Sequence, residues 1–305
     1  MTDPELEVRT LASAVPGWSG ADLTLTPLEG GITNRNYRVD VGGEAFVIRV
    51  PGAETALLGI DRESEYQAAR RAEAAGAGPP VHVFLADQGC LVTRFVEGRH
   101  IPQTDLEREP VLAAVVGSIR AIHACPRISA TFPVFRIVED YRRLAHERGV
   151  AIPAVYDEAH DHALRIEASF ATHPMQAALC HNDLLNANFL LDGAHAWIVD
   201  YEYAGMGDPF FDLANLSVNN GFPPATQELL LRLYFGSVRD GHRARLALMR
   251  IMSDFREAMW GVVQQALSSL AIDYEDYAER HFARLLANAE DDRFDDWLIG
   301  AQAPV

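Results

Sequence analysis

Cys180-His181-Asn182-Asp183-Leu184-Leu185-Asn186-Ala187-Asn188-Phe189-Leu190-Leu191, followed by Ile198-Val199-Asp200-Tyr201-Glu202-Tyr203, is the stretch on which the reading of this chain turns. Two aspartates and an asparagine recur at set offsets, five residues from Asp183 to Asn188 and twelve from Asn188 to Asp200. Each falls in a loop beside a short apolar run, at 189–191 and 197–199, so buried strands hold the loop side chains in place. Phosphoryl transfer asks for this set: one carboxylate to accept or orient the proton of the attacking hydroxyl, and two hard oxygen donors for magnesium. Asp183 fits the first role, Asn188 and Asp200 the second, and His181 is expected to brace the loop by hydrogen bonding. Polar residues also gather in ordinary turns. Three residue types at this spacing, between apolar strands, favour the catalytic reading.

Working outward, the chain changes character once. A helix at 6–15 is stopped by Pro16-Gly17. β-like runs follow at 22–28, 36–41 and 45–50, the last two joined by Gly42-Gly43, a tight hairpin signal. A helix at 61–75 has Asp61 as its N-cap and Gly76 as its stop. Runs at 81–85 and 90–95 make a second hairpin across Asp87-Gln88-Gly89. After Glu97-Gly98 the spacing is helical, at 106–125, 138–148, 156–171, 227–238, 243–270 and 274–289, interrupted only by the island at 179–200. The expected architecture is α+β and two-lobed: a small antiparallel-sheet lobe with one helix at 1–97, and a larger, mostly helical lobe at 98–305.

Composition narrows the function. The 305 residues carry 26 basic and 43 acidic side chains, a net charge of −17, with 49% hydrophobic residues. That is an ordinary globular composition. Its acidity argues against nucleic-acid and anionic-membrane partners and is compatible with a cationic substrate. No apolar run approaches the ~18 residues that span a bilayer. Asp3, Pro4, Glu5 and Glu7 stand where a signal peptide has a basic end and an apolar stretch, so a cytoplasmic protein is expected. Three widely spaced cysteines, Cys90, Cys125 and Cys180, form neither a disulfide framework nor a zinc pattern. Cys180, on an apolar strand, reads as inert core. His123, His160 and His162 have no metal-ligand spacing. Oligomeric state is expected to be monomer or homodimer.

His181-Asn182-Asp183, Asn188 and Asp200-Tyr201-Glu202-Tyr203 together resemble the signature of choline/ethanolamine kinases of the bacterial type, within the aminoglycoside-phosphotransferase and protein-kinase-like group. The resemblance extends to 30–37, 48–52, 61–65, 210–215 and 259–265. It implies ATP and magnesium as cofactors and a cationic amino alcohol as acceptor. The Gly30-Gly31 turn, with Gly31, Thr33 and Asn34, is then placed at the ATP phosphates; no Gly-Lys-Ser/Thr follows, so it is not a P-loop. Arg49, on the strand at 45–49 in a stretch (1–97) without any lysine, takes the place of the phosphate-clamping cation. Glu65, ahead of Glu63, is expected to orient it. Adenine is expected against the backbone from Arg94 to Val96, with Phe95 and Ile48 readable equally as walls or as core.

For the acceptor, the resemblance points to Asp183, Glu202, Tyr203, Glu257, Trp260 and Tyr277. A quaternary ammonium has no N–H to donate, so ring faces and carboxylates are its means of recognition. Helix-face core is the competing reading of Trp260 and Tyr277. The chain departs from eukaryotic choline kinases in carrying Glu257 where they place a Trp and Asn219 where they place a Glu. Asp212 resembles an Asp that braces the catalytic loop through backbone N–H groups. Phosphorylation of choline, then ethanolamine, is the first functional expectation. An aminoglycoside, thiamine or sugar acceptor is the second, and an inactive ligand-binding relative the third.

Overall fold

The structure, a computed structural model, describes residues 4–28, 34–52, 55–268 and 270–304. Helix α1 (Pro4–Ala14) precedes strands β1 (Thr24–Leu28), β2 (Asn34–Val41) and β3 (Glu44–Pro51). Helix α2 (Arg62–Ala74), β4 (Val81–Leu85) and β5 (Cys90–Arg94) complete an antiparallel sheet in the order β1-β2-β3-β5-β4. Gly42 and Gly43 have φ of 60° and 82°, the left-handed pair that a two-residue hairpin needs. The Asp61 carboxylate caps α2 by accepting the Glu63 N–H, and Gly76, with φ 70°, ends it.

The alternation of β3 decides what this sheet can do. Phe46, Ile48 and Val50 are buried with Val8, Ala12, Val15 and Trp18 in one apolar cluster. Successive strand residues face opposite ways, so Val47 and Arg49 are left for the other face, where they line a cleft. Ile48 is therefore core and not a cleft wall.

Strand β6 (Arg99–His100) leads into α3 (Glu109–His123), α4 (Val134–Glu147) and α5 (Tyr156–Thr172). Then come β7 (Ala178–Cys180), β8 (Phe189–Asp192), β9 (His195–Ile198) and β10 (Gly205–Gly207). β6 pairs with β8 and β8 with β9, while β10 pairs with β7. Helices α6 (Pro209–Asn219), α7 (Pro224–Phe235), α8 (Asp240–Leu267), α9 (Tyr274–Ala289) and α10 (Phe294–Gly300) finish the chain. No described helix is long and apolar enough to cross a membrane.

Several boundaries differ from expectation for local reasons. α3 begins at Glu109, with Pro110 in its first turn, because Leu106 caps a preceding short 3₁₀ turn at Gln103–Asp105. α4 begins at Val134, directly after Pro133. α7 and α8 each start and end three residues before the expected bounds, α7 giving way to Gly236 with φ 80°. Helix α6 went unrecognised in the pattern because it has no polar face: every residue from Pro209 to Val218 is buried.

Candidate active site

Asp212 on α6 organises the segment after β7. Its carboxylate accepts the N–H of Asn182 at 2.7 Å and of His181 at 2.8 Å. His123 Nε2 donates to it at 2.9 Å, and His123 Nδ1 accepts from the Tyr234 hydroxyl at 2.7 Å. Burial opposes the charge on Asp212, but the His123 bond prevails and its pKa lies below the ordinary carboxylate value. His123, Cys180 and Asp212 lie close together. With both Asp212 oxygens taken by N–H donors and the Cys180 thiol kept protonated by burial, they form a brace and not a metal centre. One turn along α6, Asn215 Oδ1 accepts the Leu184 N–H at 2.6 Å.

The segment held this way carries the three residues singled out in the sequence. Asn182 adopts a left-handed backbone (φ 67°) that asparagine tolerates, and its amide donates to the Tyr203 carbonyl at 3.0 Å. His181 Nε2 donates to the Val199 carbonyl at 2.9 Å, and its Nδ1 accepts the Asp183 N–H at 3.3 Å. His181 thus ties the Asp183 loop to the Asp200 loop, and burial lowers its pKa so that it stays neutral. Asn188 donates through Nδ2 to the Asp183 carbonyl at 2.8 Å and to its carboxylate at 3.4 Å, which leaves Oδ1 as its metal-capable atom. Asp200 is itself left-handed, with φ 73°. An amide oxygen and a carboxylate on one cleft wall form the hard donor set that suits magnesium.

Arg49 reaches the same place from β3. Its Nη1 bonds Asp200 Oδ1 and lies 3.1 Å from Glu65 Oε1. Glu65 is buried, whereas Glu63 is exposed, so the structure pairs Arg49 with Glu65. Burial alone would lower the Arg49 pKa, but Asp200, Glu65 and Glu202 together raise it. The sequence reading overlooked Arg62, one turn before Glu65. It bonds Glu65 at 2.7 Å, Asn34 at 2.8 Å and Thr55 at 3.0 Å, with Glu202 at 3.3 Å. Asn34 in turn donates to Glu202 at 2.7 Å. Gly31 and Thr33 lie outside the described residues.

Between sheet and helices, a cavity of about 330 Å³ is walled by Val47, Leu91, Phe95, Val96 and Leu190, with Arg49, Asn188 and Asp200 at its polar end. The Arg94 N–H is committed to the Pro80 carbonyl and the Phe95 N–H to Ala45. Val96 is left as the residue of this segment whose N–H has no backbone partner among the described residues. The Arg94 side chain turns to exposed Glu44, so the expectation for Arg94 narrows to its carbonyl.

On the other side of Asp183 the acceptor candidates converge, with an addition the sequence reading overlooked. Arg256 Nη1 bonds Glu257 at 2.7 Å and lies 4.0 Å from Asp183, with its guanidinium over the Tyr203 ring at 4.4 Å. Trp260 Nε1 donates to the Tyr203 hydroxyl at 3.0 Å, and the Tyr277 hydroxyl to Glu257 at 2.8 Å. Trp260 and Tyr277 meet edge to face at 5.7 Å. Gly261 permits this closeness, since a Cβ there would stand 2.8 Å from the Tyr277 ring. Burial pushes the Asp183 carboxyl up to about 8, with Arg256 opposing and Glu257 adding to the rise. For Glu257 burial pulls the same way, but the adjoining Arg256 brings it below its ordinary value. Asp183 therefore has the stronger hold on a proton. Glu202, expected at the acceptor, is instead tied to Asn34 on β2 and Arg62 on α2.

The profile of the Phosphotransferase enzyme family matches residues 24–248. A choline/ethanolamine kinase family protein of Mesorhizobium loti shares 32% identity, with a TM-score of 0.84 over 98% of this chain and 99% of its own. Protein LicA of Haemophilus influenzae is 27% identical over 259 residues, covering 82% of this chain and 75% of its own. Ethanolamine kinase 2 of Mus musculus is 27% identical over 311 residues, covering 90% and 78%. The chain is an ATP-using phosphotransferase of the choline/ethanolamine kinase family, built on the two-lobed kinase-like fold.

Proposed function

We propose that this enzyme transfers the γ-phosphoryl group of ATP, with magnesium, to the hydroxyl of choline or ethanolamine. The observation that carries the reading is the convergence of Asn188, Asp200 and the Arg49–Glu65 pair on one cleft, with Asp183 in contact with Asn188 beside it. Residues 1–97 would hold the nucleotide, with adenine against Val96 and the Arg94 carbonyl, and residues 98–305 the acceptor. Asp183 orients the acceptor hydroxyl and takes its proton. Asn188 Oδ1 and Asp200 would hold magnesium, which would supply positive charge against the phosphates. Arg49, fixed by Glu65, clamps the phosphates. Positioning and charge neutralisation supply most of the catalysis. Three free cysteines fit a reducing cytoplasm.

Arg49→Ala is expected to weaken ATP binding and turnover together, since the clamp acts in ground and transition states alike. Arg49→Lys should recover part of both, because the charge returns without the planar fork. Steady-state kinetics with varied ATP check this; unchanged ATP kinetics in Arg49→Ala would place the residue outside the phosphate site.

One observation weights the choice of acceptor. Arg256 already lies over one face of Tyr203, so that face is not open to an ammonium, and Arg256 also neutralises Glu257. A primary ammonium can still donate hydrogen bonds to oxygens, whereas a quaternary one cannot. This favours ethanolamine over choline. Arg256→Gln should uncover the ring and shift kcat/KM toward choline, relative to ethanolamine, by about two- to thirtyfold, the span of ~0.5–2 kcal/mol for a cation–π contact. Pairing it with Glu257→Gln avoids leaving a buried lone carboxylate. Both ratios measured beside melting temperature decide the matter; an unchanged ratio in folded protein removes Tyr203 from acceptor recognition.

ADP release over choline, ethanolamine, thiamine and kanamycin tests the function as a whole. Turnover with the two amino alcohols is expected, and kanamycin as the preferred acceptor would overturn the reading.

A further inference from the structure

Away from the cleft, a cavity of about 430 Å³ lies between α7, the first half of α8 and the segment joining α9 to α10. Its apolar wall includes Phe222, Leu231, Leu246 and Trp297, and three arginines line it. Two of these are already neutralised. Arg243 grips Glu228 with a fork at 2.9 and 2.7 Å, and Arg293 grips Asp291 at 2.9 and 2.8 Å. The third, Arg250, has no hydrogen-bond or ion-pair partner among the described residues, and its Nε is buried without one. Asp254, one turn further along α8, attracts it but is held by Arg284 at 2.9 and 3.0 Å and by His281 at 2.8 Å. Burial lowers the Arg250 pKa accordingly, with Asp254 opposing and Arg284 adding to the fall.

A half-buried guanidinium whose neighbouring carboxylate, Asp254, is already held by Arg284 and His281 is under-compensated, and a cavity beside it is where further negative charge can be supplied. We propose that this cavity binds a small organic monoanion, a carboxylate carried on an aromatic or apolar body, with the carboxylate on Arg250 and the body against Leu231 and Leu246, since Arg293 already lies over the Trp297 ring. One negative charge is matched, because of the three lining arginines Arg250 alone lacks a hydrogen-bond or ion-pair partner among the described residues. A second would meet Glu228 and Asp291 on the same wall. The site is distinct from the acceptor pocket: Arg250 precedes Glu257 by seven residues of α8, about 10 Å along the helix axis.

The test is calorimetric titration of the full chain, its nucleotide cleft filled with magnesium-ADP, with indole-3-acetate and its neutral isostere indole-3-acetamide. Wild type is expected to bind the acid at least about tenfold more tightly than the amide, a difference of ~1.4 kcal/mol. Arg250→Gln should reduce that preference to under about twofold, and Arg250→Lys should keep part of it. Melting temperature should hold or rise in Arg250→Gln, since a half-buried cation with no hydrogen-bond partner among the described residues is removed. Equal binding of the two probes, binding of neither, or a preference that survives in folded Arg250→Gln would each overturn the proposal.

Discussion

Asp183→Asn is expected to lower kcat by about 10²- to 10⁴-fold, the range for a positioned proton acceptor, while ATP affinity stays close to wild type. Asparagine keeps the shape of the side chain and can still accept from Asn188 Nδ2, but it cannot take the hydroxyl proton. Melting temperature should hold or rise, because burial disfavours the Asp183 carboxylate more than Arg256, 4.0 Å away, favours it. ATP titration followed by fluorescence, beside turnover, separates the chemical loss from a binding loss. A folded Asp183→Asn protein turning over at a near wild-type rate would show the role to be misassigned.

Asp200→Ala should be as severe in turnover and should differ in binding. It removes the oxygen proposed for magnesium and releases Arg49, which pairs with Asp200 in the structure. Magnesium-ATP affinity is therefore expected to fall at least about tenfold, together with a loss of kcat of roughly 10³-fold or more. ATP measured without magnesium should bind the variant and wild type more nearly alike. An Asp200→Ala enzyme that binds magnesium-ATP normally would contradict the assignment of this carboxylate.

The particular residues show what the sequence made legible. Asp183, Asn188 and Asp200 could be read because local spacing and two short strands placed them, and β8 and β9 lie where the apolar runs are. The sheet was legible for the same reason: period-two alternation and the Gly42-Gly43 turn are local signals. Helix α6 was hidden, since burial on every side erases periodicity. Arg256 was hidden differently. One position before Glu257 on a helix buried nearly throughout, it has no local signature, and its place over Tyr203 arises from packing between segments some fifty residues apart. His123 had no ligand spacing because its partners, Asp212 and Tyr234, come from α6 and α7. Interactions across long sequence separations are those that a single sequence leaves unstated.

The central claim is that a hydroxyl of a small amino alcohol receives the γ-phosphoryl group under the control of Asp183. Phosphorus NMR of a reaction containing magnesium-ATP and ethanolamine or choline, run with wild type and Asp183→Asn, tests it most directly. The account expects a phosphomonoester signal that grows with ADP only when the amino alcohol is present, and that is absent with Asp183→Asn. Inorganic phosphate as the sole product, a phosphoramidate signal from transfer to nitrogen, or an undiminished phosphomonoester with Asp183→Asn would contradict it.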